Sequence, residues 1–229
     1  MSSELPLFPL NVVLFPGMQL PLHIFEERYR LMMRRCLEGD RCFGVALIIE
    51  GQEGEGGTVP ASTGCSCEIL ETTTLPDGRI NLMAHGRRRF RILTMREEDH
   101  YLVGTVEWLD DEPAGDRAEE SALKVKTLLK GYLASLAHNT ELTSLGLDEL
   151  EIPDDPYSLS MWVAALIAIP NEQKQQLLVL GTTEERLDME YQILFRSAIV
   201  QRAYEKRGPD ANTTPEDETG PFAQFASLN

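Results

Sequence analysis

Cysteine and histidine are the residues of this chain that could supply a nucleophile and a base, or hold a metal ion. The four cysteines, Cys36, Cys42, Cys65 and Cys67, all lie in the first third of the sequence. Structural zinc sites use pairs of thiolates in a C-x₂₋₄-C spacing, which neither the C-x-C pair nor the wider Cys36–Cys42 spacing provides. We therefore predict no metal site and expect reduced thiols, several of them in the core.

Thiol catalysis requires a base within hydrogen-bond reach of the nucleophile. The candidate bases are the four histidines, His23, His85, His100 and His138. A pairing of Cys36 or Cys42 with His23, as in a small thiol hydrolase, stays open as an alternative, but the sequence spacing gives it no support. We predict no catalytic residue.

Arg87–Arg91 is the one basic run, RRRFR. If it is a regular strand, Arg87, Arg89 and Arg91 share one face. RNA binding through this strand is a second alternative. The net charge of −16 disfavours approach to a phosphate backbone. We expect these arginines to pair with local acids and expect no nucleic-acid partner.

The composition is that of an ordinary soluble globular protein, with 42% apolar and 25% charged residues. No uninterrupted apolar run approaches the length of a membrane span, and the apolar N-terminal stretch lacks the basic start of a secretory signal. We expect a cytoplasmic protein without a membrane partner.

The first half reads as short strands around one helix. Leu5–Leu22 is apolar but interrupted by four prolines, which excludes a long helix, and Pro16-Gly17 suits a type II turn between two short strands. His23–Leu37 shows helical spacing that ends at Gly39. The remaining predicted strands are 41–50, 64–74, 79–94 and 100–109, with a tight turn at Leu75-Pro-Asp-Gly. This spacing predicts a small barrel or rolled sheet with non-parallel pairing.

The second half changes to helical periodicity after the acidic link Asp110–Asp116. The predicted helices span 119–138, 155–169, 172–180 and 182–206, with Asp155 as one N-cap and Thr182-x-x-Glu185 as a capping box. Residues 207–229 form a predicted disordered acidic tail whose aromatic residues are Phe222 and Phe225.

Several motifs, in the same order along the chain, resemble the N-terminal (LON) domain of ATP-dependent Lon protease. The short form of the helix start, IFEERY (24–29), resembles that of free-standing bacterial LON-domain proteins. The matching segments are LPLFPL (5–10), LFPGMQLPLHIFEERY (14–29), FGVALI (43–48), LPDGRINLMAHGRRRFRI (75–92) and EQKQQLLVLGTTEERLDMEYQIL (172–194). The resemblance implies an α+β fold with a PUA-like rolled β-barrel or sheet at 5–109, a helical bundle at 117–206 and the tail at 207–229.

The same resemblance implies a non-catalytic module that recognises unfolded or apolar polypeptide segments, as an adaptor or quality-control factor. The chain has no G-x-x-x-x-G-K-[ST] sequence for a nucleotide phosphate, and its length leaves no room after Lys206 for ATPase or protease domains with a Ser–Lys dyad. We therefore predict no enzyme activity and no cofactor. Adaptable apolar side chains are candidates to line a peptide groove: Phe8, Phe15, Met18, Phe25, Tyr29, Met32 and Met33.

Overall fold

The structure, a computed structural model, describes residues 2–53, 57–110, 115–139 and 151–207. In these residues a seven-stranded sheet is combined with helices. The strands are β1 (Ser2–Leu10), β2 (Gln19–Ile24), β3 (Cys42–Glu50), β4 (Val59–Pro60), β5 (Thr63–Thr74), β6 (Ile80–Glu98) and β7 (Tyr101–Leu109). The helices are α1 (Glu27–Glu38), α2 (Asp116–Asn139), α3 (Pro156–Leu166), α4 (Asn171–Val179) and α5 (Thr183–Arg207).

The sheet runs in the order β1-β7-β6-β5-β3-β4, and β2 pairs with β6. Strand β1 also pairs with β3, so the path of hydrogen bonding from β1 through β7, β6, β5 and β3 returns to β1. The β1–β3 pairing is parallel, with Leu7 beside Gly44, and every other pairing is antiparallel. The expectation of purely non-parallel pairing is therefore wrong for this one pair.

The turn predicted at Pro16-Gly17 is confirmed. The Met18 N–H donates to the carbonyl oxygen of Phe15 at 3.1 Å, and Gly17 has φ +84°. A type II turn requires a positive φ at its third residue, where glycine has no Cβ to clash. This turn lets the chain leave β1 and enter β2, which pairs with a different strand.

The inner core of the sheet is built around Phe90, which is fully buried with Leu5, Leu7 and Val106. The backbone approaches its ring closely, because a Cβ added at Gly44 or Gly64 would lie 2.7 Å from Phe90 Cζ. A larger core lies under α1, whose Tyr29, Met32, Met33 and Cys36 pack with apolar residues of the strands. This buried face accounts for the amphipathic spacing from which a packing helix was predicted.

The chain divides into two compact units, Met1–Asp111 with Ala164–Gly181, and Glu112–Val163 with Thr182–Asn229. The boundary between the units at Asp111 lies in the predicted link. Residues Ala164–Gly181 belong to the first unit, whereas the sequence analysis grouped them with the helical region. The division into subdomains 5–109 and 117–206 stays a prediction. The tail predicted as disordered lies outside the described residues from Gly208 onward.

Helix α4 is held in the first unit by side chains that hydrogen-bond to backbone oxygens. Asn171 Nδ2 donates to the Asn11 carbonyl at 2.9 Å, and Gln175 Nε2 donates to the Thr63 carbonyl at 2.9 Å. At the other end of α4, the buried Arg89 Nη1 donates to the carbonyl oxygens of Leu178 and Leu180 at 2.7 and 2.5 Å. A cation at a helix C-terminus is favoured by the unpaired carbonyls of the last turn.

The second unit confirms two predicted helix starts. Asp155 Oδ2 accepts from the Ser158 N–H at 2.8 Å, and Thr182 Oγ1 accepts from the Glu185 N–H at 3.2 Å. Such side-chain acceptors satisfy N–H groups that the first helical turn leaves unpaired. No helix of the described residues has the length and apolarity to cross a membrane.

Candidate functional site

Phe25 is the member of the predicted groove set that lies most open to solvent, with 63% of its surface exposed. It sits between the end of β2 at Ile24 and the start of α1 at Glu27. The sequence assigned His23–Phe25 to the helix, because Phe25 and Tyr29 have helical spacing. This boundary is wrong, since pairing of His23 with Asn81 and Ile24 with Ile80 extends β2 through Ile24.

His23 supports the Phe25 ring. The two rings stack with centroids 6.3 Å apart and planes 28° apart. His23 Nδ1 lies 2.6 Å from Asn81 Oδ1, and His23 Nε2 lies 3.2 Å from Arg79 Nη1. Because arginine can only donate, Nε2 accepts and Nδ1–H donates to the Asn81 oxygen. Both nitrogens of the imidazole therefore have a partner within hydrogen-bond distance.

Arg79 is itself fixed by the turn between β5 and β6. Its Nε donates to Asp77 Oδ2 at 2.7 Å, and its backbone N–H donates to Asp77 Oδ1 at 3.1 Å. The backbone N–H of Arg79, and then its guanidinium, hold the pKa of Asp77 below its ordinary value. Arg30 Nη1, from α1, lies 3.4 Å from the Asp77 carbonyl oxygen. The turn is thus tied to both the histidine and the helix.

We call His23, Phe25, Asp77, Arg79 and Asn81 the Phe25 surface. It presents one exposed aromatic ring on a hydrogen-bonded support, with a guanidinium at its rim. Rigid aromatic residues with arginine neighbours are typical anchors of protein interfaces. An apolar side chain can pack on the ring, and the charge of Arg79 at the rim is paired with Asp77. The surface offers recognition chemistry, with no group positioned as a nucleophile.

The other six residues of the predicted groove are mostly core. Their exposed fractions are 7% for Phe8, 0% for Phe15, 5% for Tyr29 and 0% for Met32 and Met33, and Met18 is partly buried. Phe8 and Tyr29 pack with ring centroids 4.3 Å apart. In this conformation these side chains stabilise the sheet and α1, and a role of theirs in peptide binding stays a prediction.

Three of the four thiols are buried, and Cys42 is half-buried. Burial is the main cause that raises the pKa of Cys36 to about 12 and that of Cys42 to about 11, and it also raises the pKa of Cys65 and Cys67. A thiol of this kind stays protonated at neutral pH and neither attacks substrates nor binds metal well. Within the described residues, no thiol is hydrogen-bonded to an imidazole, and no group of three His, Cys, Asp or Glu residues could hold a metal ion.

The basic run does not form one cationic face. Opposite Ser66 of β5, β6 carries an extra residue, because Cys65 pairs with Arg89 and Cys67 with Gly86. This bulge changes the alternation between Arg87 and Arg89, whereas Arg89 and Arg91 pair regularly with Cys65 and Thr63 and stay on one face. The expectation that all three arginines share a face is therefore wrong for Arg87.

The three exposed arginines of the run are paired with acids, as the sequence predicted. Arg87 Nε donates to Glu68 at 2.8 Å, and Arg91 lies 3.5 Å from Glu107. Arg88 donates to Asp110 at 2.8 Å and stacks over Trp108, 5.1 Å from the ring centroid. Arg89 is instead buried against the end of α4. The run is therefore explained by contacts within the protein.

His23, Arg79 and Asn81 were missed as site residues. The turn at Leu75–Gly78 was predicted, and it places Arg79 directly before β6 and Asn81 within it. The β2–β6 register that brings His23 opposite Asn81 has no comparable local signal.

Comparison with known proteins identifies the family. Residues 4–196 match the family model described as the ATP-dependent protease La (LON) substrate-binding domain. The chain is 27% identical over 187 residues to Lon protease of Escherichia coli strain K12, covering 81% of this chain and 24% of that protein. It thus spans about a quarter of the length of that relative.

Solved structures show the same fold. A Lon N-terminal domain protein from Xanthomonas campestris has 29% sequence identity and a TM-score of 0.61, covering 81% of this chain and 95% of the other. The N-terminal domain of Mycobacterium avium complex Lon protease has 21% identity and a TM-score of 0.65, covering 84% and 98%. With a family match over most of the chain, this protein belongs to the LON substrate-binding domain family.

Proposed function

We propose that this protein is a non-catalytic recognition module that binds apolar segments of unfolded polypeptides at the Phe25 surface. The observation that carries the proposal is the match of residues 4–196 to a substrate-binding family, together with an exposed aromatic anchor in that region. The protonated, buried thiols and the acid-paired arginines favour this role over a thiol hydrolase or an RNA-binding domain.

The finer features of the fold belong to the same proposal. The closed pairing path through β1, β7, β6, β5 and β3 supports a PUA-like rolled barrel, and the capped helices of the second unit support a helical bundle. We further propose a cytoplasmic adaptor or quality-control role, in which bound polypeptide is held without being cleaved.

The exposed area of Phe25 sets the size of the expected effect. A phenylalanine buries about 150–250 Å², and apolar burial contributes about 25 cal/mol per Å². Covering the exposed 63% of this residue contributes up to about 4 kcal/mol. Phe25→Ala should therefore weaken binding of an apolar polypeptide by about tenfold to a hundredfold.

Fluorescence anisotropy tests the proposal. A labelled, reduced and alkylated model polypeptide is titrated with the wild-type protein, Phe25→Ala and Leu123→Ala. Leu123 is a matched control, because it is 67% exposed and lies in α2, in the other unit. We expect saturable binding that Phe25→Ala weakens and Leu123→Ala leaves unchanged. Absence of saturable binding at tens of micromolar, an affinity of about 6 kcal/mol, would contradict the proposal.

A further inference from the structure

The last part of β6 has an open edge, because a strand lies on one side of it only. On the side away from β7, β5 follows β6 no further than Arg91, and the Ile92 N–H then donates to the Ser62 carbonyl oxygen at 2.7 Å. On the other side, β7 stays paired with β6 to Glu98. Within the part of the chain that the structure describes, no strand covers residues 93–98 on the side away from β7. We call this side of residues 93–98 the β6 edge.

The hydrogen-bonding pattern shows which backbone groups reach the β6 edge. Residues 99–100 have φ of +47° and +68°, so they form a two-residue turn, and Glu98 and Tyr101 are the hydrogen-bonded pair that closes it. In antiparallel strands, opposite residues alternate between pairs that exchange hydrogen bonds and pairs that do not. Met95 and Glu97 belong to the second kind, so their N–H and C=O groups point away from β7, toward the β6 edge.

The side chains at this edge are apolar and acidic. Met95 is 44% and the nearby Leu93 53% exposed. Met95 and Glu97 lie two residues apart in a strand and therefore share one face. Glu97 Oε1 lies 3.7 Å from His100 Nδ1, and no lysine or arginine among the described residues pairs with this carboxylate. An added strand can thus gain an apolar contact at Met95 and supply a cation to Glu97.

We propose that the β6 edge binds an extended polypeptide segment, which joins the sheet as an antiparallel strand beside Met95 and Glu97. Strand addition of this kind satisfies the outward N–H and C=O groups, because the backbone of any strand repeats at the same two-residue interval. The antiparallel direction is slightly more stable per residue than the parallel one. The choice of an unfolded polypeptide as ligand rests on the proposed function, but the β6 edge is a second surface, distinct from the Phe25 surface.

The edge also selects the sequence that it binds. Pairs of opposite charges and pairs of apolar residues across two strands are stabilising. A bound segment should therefore place a basic residue opposite Glu97 and an apolar residue opposite Met95. Because the added strand runs antiparallel to β6, the basic residue comes two positions before the apolar one.

A second copy of the chain fits this edge less well than an unfolded segment does. Its own β6 edge would present Leu93, Met95 and Glu97 again, and none of these residues supplies a cation to Glu97. The net charge of −16 also makes two copies repel each other. An unfolded segment that contains lysine or arginine meets neither obstacle.

Amide hydrogen exchange of the full chain, read residue by residue by NMR, tests the proposal. The probe is the peptide Thr-Lys-Thr-Ile-Thr-Val with both ends blocked, in which lysine precedes isoleucine by two positions. In the free protein we expect fast exchange at Met95 and Glu97 and slow exchange at Thr94 and Arg96, whose N–H groups bond to β7. Saturating peptide should slow exchange at Met95 and Glu97 at least about tenfold.

Charge reversal tests the direct contact. Glu97→Lys should weaken binding of the peptide about fivefold, and a peptide with glutamate in place of lysine should regain that affinity for this variant. The matched control is Glu71→Lys, which changes an exposed acid of β5 and should leave the affinity unchanged. Met95→Ser should weaken binding by about twofold to fivefold, whereas Leu70→Ser, at a β5 residue that is 41% exposed, should not.

Fast exchange at Met95 and Glu97 with saturating peptide would overturn the proposal, and so would an affinity that Glu97→Lys does not change. Slow exchange at both amides in the free protein would overturn it as well, and protection that falls on roughly hundredfold dilution would assign the edge to a second copy of the chain.

The same titration with Phe25→Ala separates this inference from the proposed function. Slowed exchange at Met95 and Glu97 in that variant supports strand addition at the β6 edge, whatever the outcome at the Phe25 surface. Amides that stay fast, in a protein that still binds the alkylated polypeptide through Phe25, would refute the β6 edge alone.

Discussion

Replacement of Arg89 by methionine should destabilise the first unit far more than replacement of its exposed neighbours. Arg89 is 2% exposed, and its Nη1 donates to the carbonyl oxygens of Leu178 and Leu180. Methionine keeps most of the aliphatic volume, so the variant reports chiefly on the lost hydrogen bonds.

The magnitude follows from the two bonds. A hydrogen bond to a charged group contributes about 1.5–3 kcal/mol. Removing the guanidinium also removes its desolvation cost, which offsets part of the loss. We therefore expect Arg89→Met to lower the free energy of unfolding by about 2–4 kcal/mol. Arg87→Met and Arg91→Met are the controls. Their side chains are 47% and 54% exposed, and one exposed ion pair contributes about 0–1 kcal/mol.

Urea unfolding followed by tryptophan fluorescence measures these differences. The chain has two tryptophans, so a Trp162→Phe background makes Trp108 of β7 the only reporter, in the same unit as Arg89. Hydrogen exchange of the Leu177–Leu180 amides should rise in Arg89→Met before the strands open. If Arg89→Met unfolds within about 1 kcal/mol of the two controls, the buried guanidinium does not hold α4 and the reasoning is refuted.

Two further substitutions and one labelling experiment have expected outcomes. Gly64→Ala should prevent folding or strongly lower the melting temperature, because the added Cβ would lie 2.3 Å from the Val45 carbonyl oxygen. A melting temperature within a few degrees of that of the wild type would contradict this packing. Glu190 is fully buried and its carboxylate has no hydrogen-bond partner among the described residues, and burial, opposed by the charge of Arg186, raises its pKa well above 4.5. Its contribution to the free energy of unfolding is therefore fully present below about pH 4.5 and is lost as the pH rises toward the folded-state pKa. Glu190→Gln should remove this loss. The free energy of unfolding in urea, variant relative to wild type, should therefore be higher at pH 8 than at pH 5. The same difference between variant and wild type at both pH values would refute the prediction. The raised pKa of Cys36 and Cys42 predicts slow labelling by a thiol-specific disulfide reagent at pH 8, accelerated by urea; labelling in the native protein as fast as in urea would contradict the burial argument.

The elements that the sequence predicted well are those with local causes. Pro16-Gly17 determines its turn through the fixed φ of proline and the free φ of glycine. Asp155 and Thr182 cap helices through N–H groups only three residues away. Such interactions act within a few residues, so a single sequence contains the information needed to predict them.

The features that were mispredicted have long-range causes. The bulge opposite Ser66 changes which arginines face outward, although the residue types of a bulged and a regular strand look alike. The helix was predicted to begin before Phe25 because the spacing of Phe25 to Tyr29 fits a helix. Pairing of β2 with β6 instead extends the strand through Ile24. The candidate site depends on this pairing, so of its five residues only Phe25 was predicted.

The pairing of β1 with both β3 and β7 has a consequence for folding during synthesis. Its parallel partner β3 is nearby in the chain, but on its other edge Leu5 pairs with Gly104, about a hundred residues later. At a synthesis rate of about 5–20 residues per second, the apolar first strand waits roughly 5–20 s for its second partner. During that interval LPLFPL is an uncompleted strand edge on the ribosome, and chaperones that bind nascent apolar segments should have their main opportunity there.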